Sequence, residues 1–253
     1  MSMPTLTAKL KQLQLHLMSQ HLDQALADAA ARNLSVADTI EWLADRELEA
    51  RHNRAIERRF RASRLHARHS IDAFQFSHHK SRQQARTRIL NLLDLSFLDK
   101  GTSVVIIGNP GVGKIFLAKI IGWRCCQANR RLLFTTAMDM LNHLLASQAD
   151  NSLVRKLKLY TEPALLICDE LGYLSLDQQS SNLFYQLIST RHSLKRSTLI
   201  TTNTAFSDWG NILYNTTIAT AIADRLVENS EIFMFGGESL RKANANKGHK
   251  PAG

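Results

Sequence analysis

The feature that most constrains this chain is a glycine-rich turn that joins an apolar run to a helical stretch. The apolar run covers 104–107, the turn Gly-Asn-Pro-Gly-Val-Gly-Lys-Ile covers 108–115, and the sequence of 116–121 favours a helix. In this context backbone N–H groups and the positive end of the helix converge on the phosphates of a nucleotide. We therefore predict a phosphate site built from Gly108, Asn109, Pro110, Gly111, Val112, Gly113, Lys114 and Ile115.

One position of this turn departs from the motif. Lys114 is placed to neutralise the β- and γ-phosphates, but the next residue is ordinarily Ser or Thr, whose hydroxyl coordinates Mg²⁺. Ile115 has no oxygen to offer. The ion would then depend on phosphate oxygens, water and an acidic residue elsewhere. Because phosphoryl transfer depends on positioning and charge neutralisation, we expect nucleotide binding to survive Ile115 better than hydrolysis does.

Two acids follow the apolar run 165–168. Asp169 is placed to hold Mg²⁺ through water, and Glu170 to polarise the attacking water as a general base. Two acids at a strand end could also simply begin a loop. Their position one strand and helix pair beyond Lys114 favours the catalytic interpretation.

A polar residue also closes the next apolar run along the chain. We predict that Asn203 orients the attacking water, with the neighbouring Thr202 as an alternative, although an Asn in this position can also begin a turn. Five apolar runs are interpreted as strands, at 104–107, 132–134, 165–168, 198–201 and 231–235. Continuous apolar strands separated by helices are typical of a parallel sheet covered on both faces, so we predict an α/β fold with a five-stranded parallel sheet flanked by helices.

Helical patterns precede this region. A first helix carries one predicted apolar stripe formed by Leu6, Leu10, Leu13 and Leu17. Ser35 is a good N-cap for a second helix, and Asp38 favours its positive end. The predicted buried side of that helix consists of Ile40, Leu43, Ala44 and Leu48. We expect a small all-α N-terminal domain over 1–75, an ATPase domain over 76–241 and a disordered basic tail over 242–253.

The net charge of +10 is concentrated in one short stretch. Residues 50–90 contain eleven Lys or Arg against two acids, and few acids interrupt the basic positions. A stripe of this kind can be a solvated helix face, but a solvated face normally interleaves acids to balance its charge. We therefore predict phosphate contacts with duplex DNA, with little sequence preference. The candidate DNA-contacting residues are Arg51, Arg54, Arg58, Arg61, Arg64 and Arg68.

Composition excludes other classes of protein. The chain has no uncharged apolar run long enough to span a membrane, and its N-terminus does not read as a secretory signal. Its three cysteines, two of them adjacent, suit neither a tetrahedral metal site nor a disulfide framework. We expect a bacterial cytoplasmic protein with buried, reduced thiols.

Taken together, these residues resemble the IstB-like transposition helper ATPases of the AAA+ class, which are close to the DnaC-type helicase loaders. The resemblance covers nearly the whole chain. It rests on the phosphate loop at 108–114, Cys-Asp-Glu-Leu-Gly-Tyr-Leu at 168–174, Asn-Leu-Phe-Tyr-Gln-Leu-Ile at 182–188, Arg-Ser-Thr-Leu-Ile-Thr-Thr-Asn at 196–203, Phe-Ser-Asp-Trp-Gly at 206–210, Ala-Asp-Arg-Leu at 223–226 and Gly-Glu-Ser at 237–239.

The resemblance implies a role that residue chemistry alone does not supply. Such helpers use ATP and Mg²⁺, assemble as homo-oligomers on duplex DNA, and recruit and stimulate the transposase of their insertion sequence. Arg225 matches the arginine that one subunit offers to its neighbour's γ-phosphate, although it could also be an ordinary surface arginine. Arg241 matches a second sensor of the nucleotide. The family carries a threonine where this chain has Ile115.

Three other functions remain open at the level of sequence. Because of Ile115, the chain could be a scaffold that binds DNA under nucleotide control without hydrolysing ATP. It could also be a replicative helicase loader, which shares the same ATPase core. A small-molecule kinase is a distant alternative, since the Asp169–Glu170 pair, Asn203 and the basic stretch argue against it.

Overall fold

The computed structural model describes residues 3–172 and 175–240, and it divides the chain into two compact units, Met1–Arg58 and Arg59–Gly253. The predicted domain boundary, at residue 75, lies further along the chain than this division between residues 58 and 59. Residues between 59 and 75 belong with the larger unit because they bind its core. The backbone N–H of Phe134 donates to the carbonyl of Ser63 at 2.7 Å, and the side chain of Leu65 is buried. Arg241 and the predicted tail 242–253 lie outside the described residues.

The N-terminal unit is built from three helices, α1 (Met3–Gln12), α2 (His16–Arg32) and most of α3 (Val36–Ala62). The prediction of one continuous first helix was wrong. Gln14 takes a left-handed conformation with φ +58°, which ends α1 and turns the chain into α2. Leu13 lies at this turn and is therefore 67% exposed rather than part of a buried stripe. The small core of the unit is formed by Leu22, Ala25 and Leu43.

The start of α3 was predicted correctly, but its buried face only in part, since Leu43 is buried as predicted. Ser35 and Asp38 form a reciprocal pair of hydrogen bonds, in which the N–H of each residue donates to the side-chain oxygen of the other at 3.1 Å. The buried positions are Thr39, Leu43 and Glu47. This face leaves Ile40 and Leu48, both predicted to be buried, more than half exposed. The predicted apolar face is therefore rotated relative to the observed buried face, because the charged residue Glu47 occupies a core position.

The larger unit is an α/β fold around a parallel sheet, as predicted. Three short helices, α4 (Lys80–Gln84), α5 (Arg86–Asn91) and α6 (Ser96–Asp99), lead into the sheet. The remaining elements are β1 (Ser103–Gly108), α7 (Lys114–Gln127), β2 (Leu132–Thr136), α8 (Ala137–Ala149), α9 (Leu153–Thr161), β3 (Leu165–Leu171), α10 (Gln178–Ser193), β4 (Ser197–Thr202), α11 (Trp209–Ile212), α12 (Thr216–Val227) and β5 (Ser230–Phe235).

The five strands lie in the order β2-β3-β4-β1-β5, and every neighbouring pair is parallel. Strand β4 is inserted between β1 and β3, so the chain crosses over the sheet between these elements. Strand β4 is buried along its whole length, and β1 is buried up to its last residue, as expected for a sheet whose two faces are covered by helices. The carboxyl ends of β1, β3 and β4 therefore meet at one edge of the sheet, which is where ligands bind in such folds.

Polar side chains cap the N-termini of three helices in the larger unit. The side chains of Thr136, Asp177 and Asn215 cap α8, α10 and α12 by accepting backbone N–H groups at 2.8–3.0 Å.

All three cysteines are buried, and burial raises the pKa of Cys125 and of Cys168 to about 12, so these two stay protonated near neutral pH. Within the described ranges, no helix has the length and apolar character that a membrane span requires.

Candidate nucleotide site

A cavity of about 300 Å³ opens at the carboxyl edge of the sheet. It brings together eight of the predicted site residues, and the four whose side chains were expected to act on the phosphates, the metal ion or the water, Lys114, Asp169, Glu170 and Asn203, come from three separate segments of the chain. Its lining is completed by Pro110, Gly111, Gly113, Ile115, Phe116, Thr201, Thr202 and Leu240. The phosphate loop thus faces the acidic end of β3 across one cavity.

The phosphate loop has the backbone that its glycines predict. Gly111 and Gly113 have φ values of +82° and +85°, in the left-handed region that a side chain would strain. Helix α7 begins directly after them at Lys114. The Lys114 ammonium donates to the carbonyls of Gly108 at 2.6 Å and Asn109 at 2.9 Å, so it lies folded over the loop. An anion placed in the cavity would meet the helix N-terminus and this ammonium together.

Asp169 lies near the carboxyl end of β3 and is only 3% exposed. The hydroxyl of Thr201, on the adjacent strand β4, donates to its Oδ1. Burial raises the pKa of the Asp169 carboxyl, and the hydrogen bond from Thr201 counteracts that effect only in part. A carboxylate held in this way gains stability from a cation bound beside it.

Glu170 lies at a break in the sheet. The register between β3 and β4 shifts between Cys168 and Leu171, and Glu170 has a φ of +59°. Its backbone N–H donates to the hydroxyl of Thr201 at 3.2 Å, while its side chain is exposed. Bulges of this kind often lie beside active sites and redirect one side chain. Both acids line the cavity, but Asp169 is buried in its wall whereas Glu170 is exposed.

The structure distinguishes between the two polar candidates at the end of β4. Thr202 is buried, and its hydroxyl accepts the backbone N–H of Thr204 at 3.1 Å. Asn203 is exposed to the cavity, and its side-chain oxygen accepts from the Thr204 hydroxyl at 3.2 Å. Thr202 therefore shapes the turn, and Asn203 is the residue whose amide is available to a ligand.

Ile115 lines both this cavity and a second, open groove of about 630 Å³. The same two cavities share Asp169 and Glu170. Among the described residues, no group of three or more His, Cys, Asp or Glu side chains is arranged to hold a metal ion. The donor set fits Mg²⁺ only if phosphate and water oxygens supply most ligands, with Asp169 as the acidic anchor.

Arg225 lies far from the phosphate loop of its own chain. Its guanidinium donates to the carbonyl of Ala221 at 2.8 Å and to the hydroxyl of Tyr185 at 3.1 Å, and it lies 4.9 Å above the Tyr185 ring. Beside it are Ser103 and Thr198, at the amino ends of β1 and β4. A six-residue strand is about 20 Å long. Arg225 and Lys114 therefore lie at opposite edges of one sheet.

The six candidate DNA-contacting arginines were predicted to form one basic stripe, but they do not lie on one helix. Helix α3 ends at Ala62, and Arg64 has a left-handed φ of +60°. In the N-terminal unit, Arg51 and Arg54 pair with the buried Glu47 carboxylate at 3.0 and 3.2 Å.

The other candidates have different surroundings. Arg58 is exposed. Arg61 and Arg64 line the 630 Å³ groove, and the guanidinium of Arg68 stacks 4.5 Å from the ring of Phe60 and 5.0 Å from that of Trp123. DNA contact by these arginines stays a prediction.

Sequence reasoning missed several residues of the site. Thr201 binds both members of the acidic pair, and only its position near a strand end could have suggested this role. Leu240 donates its backbone N–H to the carbonyl of Gly111 at 3.0 Å, a contact with no pattern in the sequence. Arg82 binds the carbonyl of Val112 but is one of many basic residues in its stretch.

Comparison with known proteins agrees with this geometry. A family model described as "IstB-like ATP binding protein" matches residues 8–248. The chain is 34% identical over 229 residues to the insertion sequence IS5376 putative ATP-binding protein of Geobacillus stearothermophilus, covering 90% of each chain. It is 31% identical over 239 residues to the insertion sequence IS21 putative ATP-binding protein of Pseudomonas aeruginosa, covering 94% of this chain and 89% of that relative.

Solved structures share the fold at lower identity. The DnaC helicase loader matches with a TM-score of 0.56 and 21% identity, over 70% of this chain and 98% of that one. AMPPCP-bound DnaA from Aquifex aeolicus matches with a TM-score of 0.58 and 14% identity, over 73% of this chain and 56% of that one. The fold is therefore that of the P-loop AAA+ domains. Because the family model matches nearly the whole length of this chain, the chain belongs to the IstB-like ATP-binding proteins associated with insertion sequences.

Proposed function

We propose that this chain is an ATPase that assembles on duplex DNA and regulates the transposase of its insertion sequence. One observation carries the proposal: a single cavity holds the phosphate loop, the Asp169–Glu170 pair and Asn203. This is the set of groups that binds a nucleoside triphosphate, holds its metal ion and orients a water molecule for attack on the γ-phosphate. We place this activity in the bacterial cytoplasm, where ATP and chromosomal DNA occur together.

Each residue has a defined role in this proposal. The loop N–H groups and Lys114 bind the phosphates and neutralise the charge that develops on the leaving group. Glu170, directed into the cavity by the bulge, accepts the proton of the attacking water, and Asn203 holds that water in line. Asp169 anchors Mg²⁺, which when bound neutralises charge on the phosphate oxygens.

Arg225 has a role only in an oligomer. Since it lies at the opposite edge of the sheet from Lys114, it cannot reach the phosphates of its own chain. In a head-to-tail assembly, that edge faces the nucleotide of the neighbouring subunit, and the guanidinium would stabilise charge in the transition state. Arg225 stacks on Tyr185, which fixes its side chain at the surface.

DNA and a transposase are proposed as partners on separate grounds. The DNA proposal rests on the basic residues of 50–90, of which the exposed Arg58, Arg61 and Arg64 are the strongest candidates in the structure. The transposase proposal rests on the relatives, which are ATP-binding proteins of insertion sequences by name.

Two alternatives are supported by specific observations. Ile115 lines the same cavity as Asp169, at the position where a hydroxyl ordinarily binds Mg²⁺, and this favours a scaffold that binds ATP without hydrolysing it. The likeness in fold to a helicase loader supports a function in replication, and a test of helicase binding distinguishes that function from the main proposal.

The test of the proposed function is ATP binding and hydrolysis, with and without duplex DNA, for the native chain and for Glu170→Gln. Binding by both proteins, with DNA-stimulated turnover by the native chain alone, supports the active ATPase. Binding without turnover in either protein favours the scaffold. Absence of nucleotide binding by the folded native chain would overturn the proposal.

A further inference from the structure

Arg82 is a charged side chain in a buried place. It lies on α4 and is only 1% exposed. Its guanidinium donates to the carbonyl of Gln75 at 3.0 Å and to the carbonyl of Val112, and its Nε is buried without a hydrogen-bond partner. Among the described residues, no carboxylate lies within ion-pair distance of it. A buried, unpaired charge is costly, and burial lowers the pKa of Arg82.

Aromatic rings compensate part of this cost. The central carbon of the Arg82 guanidinium lies 4.8 Å from the ring centre of Phe74 and 5.6 Å from that of Phe235. Guanidinium groups are attracted to aromatic faces at such distances. The two rings come from the segment before the sheet and from the last strand. Arg82 therefore joins both segments to the phosphate loop.

The contact with Val112 determines the direction of a phosphate-loop amide. In a planar trans peptide, the carbonyl and the following N–H point in opposite directions. By holding the Val112 carbonyl, Arg82 directs the N–H of Gly113 to the other side of the loop. A Cβ atom at Gly113 would lie 2.5 Å from Nη2 of Arg82, so a side chain there would displace this guanidinium as well as strain a backbone with φ +85°. The backbone N–H of Leu240 holds the carbonyl of Gly111 in a similar way.

We propose that Arg82 is a positioning residue for the nucleotide, which orients the phosphate-loop amides from behind and adds a positive charge next to the phosphate site. This inference rests on the proposed function, because it assumes that the cavity binds ATP. Arg82 does not itself line the 300 Å³ cavity. Instead, it lines an adjoining cavity of about 110 Å³ that shares Gly113, Phe116 and Leu240 with the first. Its effect on the phosphates is therefore exerted through the loop and through its charge.

The chain provides a matched control. Arg191 is equally buried at 1% exposure, and burial lowers its pKa to about 9. Its guanidinium is saturated by oxygen acceptors from Tyr160, Thr161, Pro163, Ser197 and Thr198. These acceptors lie near the amino ends of β3 and β4, at the edge opposite the phosphate loop. A substitution at Arg191 therefore disturbs a buried arginine without touching the nucleotide cavity.

The test compares the native chain with Arg82→Gln, Arg82→Lys and Arg191→Lys. A fluorescent ATP analogue with Mg²⁺ is titrated into each full-length protein, and thermal unfolding is followed with and without ATP. We expect Arg82→Gln to bind about tenfold more weakly, which corresponds to about 1.4 kcal/mol, and Arg82→Lys to recover part of the loss. Arg191→Lys should lower the melting temperature but bind the analogue like the native chain.

Distinct outcomes separate the two proposals. If the native chain binds and the folded Arg82 variants bind within about twofold of it, the role of Arg82 is overturned while the proposed function stands. Equal weakening by Arg191→Lys would also overturn it, because the effect would then follow stability alone. If Arg82→Gln does not fold, the affinity of Arg82→Lys decides the matter. A native chain that binds no nucleotide overturns both proposals.

Discussion

The hydroxyl of Thr201 donates a hydrogen bond to Oδ1 of Asp169, across the parallel pair β3 and β4. The same hydroxyl oxygen accepts the backbone N–H of Glu170 at 3.2 Å. One side chain thereby fixes both acids of the site, the buried one through its carboxylate and the exposed one through its backbone. We expect the geometry of the acidic pair to depend on this hydroxyl.

Replacing Thr201 with Val, which keeps the shape but removes the hydroxyl, should impair the site. The buried Asp169 carboxylate and the Glu170 N–H both lose a partner, which costs about 1–3 kcal/mol of stability. Hydrolysis should fall by about tenfold or more because Glu170 is no longer held in place. Denaturant unfolding and steady-state ATPase assays measure the two effects. Thr201→Ser, which retains the hydroxyl, should preserve most of both, and equal losses in the two variants would contradict this account.

Restoring the hydroxyl beside Lys114 should raise turnover. In Ile115→Thr, an oxygen is added to the cavity that Asp169 also lines, where it can coordinate Mg²⁺. We expect ATP hydrolysis to increase by about tenfold or more and nucleotide affinity to change little. Ile115→Val, which removes a methylene without adding oxygen, controls for the change in size. If Val stimulates as much as Thr, the limitation lies in packing and not in metal binding.

The sheet and the phosphate loop were predictable because their patterns are local. The five apolar runs became β1 to β5, and the glycines of the loop have the left-handed backbone that their sequence indicates. The convergence of Asp169 and Asn203 on Lys114 was also predictable, since the carboxyl ends of parallel strands share one edge.

The remaining features depend on contacts between distant segments. The buried face of α3 was predicted correctly only at Leu43, because Glu47 occupies the core, where it is neutralised by Arg51 and Arg54. The break between α1 and α2 depends on a single residue with a left-handed backbone, Gln14, and glutamine is not a residue type that indicates such a turn. Arg82 contacts Val112, which lies thirty positions further along the sequence, and a local sequence pattern cannot predict a contact between residues so far apart.

Asp169 should reduce the stability of the empty protein. Its pKa is raised by burial, so at neutral pH the folded state carries an unfavourable charge that the unfolded state does not penalise. Asp169→Asn should therefore stabilise the nucleotide-free chain by about 1 kcal/mol, or about 2–4 °C in melting temperature. The gain should vanish as the pH falls through the raised pKa towards 3.8, where Asp169 takes up a proton. Melting curves from pH 7 downward test this, and a gain that does not depend on pH would contradict it.

Charge reversal at Arg58 and Arg61 should weaken duplex DNA binding. If each arginine neutralises one phosphate, the double substitution to Glu reduces the salt dependence of binding, lowering the slope of log affinity against log salt by about 2. Fluorescence anisotropy at several salt concentrations measures the slope. Arg54→Glu serves as a contrast, because it removes a partner of the buried Glu47 and should lower the melting temperature. Unchanged affinity in the double variant would remove this region from the DNA-binding surface.

Two inactive variants should restore each other's activity when mixed. Arg225→Ala lacks the arginine that we assign to the neighbouring subunit's site, and Glu170→Gln lacks the general base, so each should bind ATP with little turnover. In a mixed head-to-tail assembly, about a quarter of the sites combine an intact Glu170 from one subunit with an intact Arg225 from the next. ATPase activity of the mixture should therefore exceed that of either variant alone, and it should increase with protein concentration as subunits associate. Additive activity at every concentration would show that Arg225 acts within its own chain or not at all, and the position of Arg225 at the edge opposite Lys114 excludes the first of these.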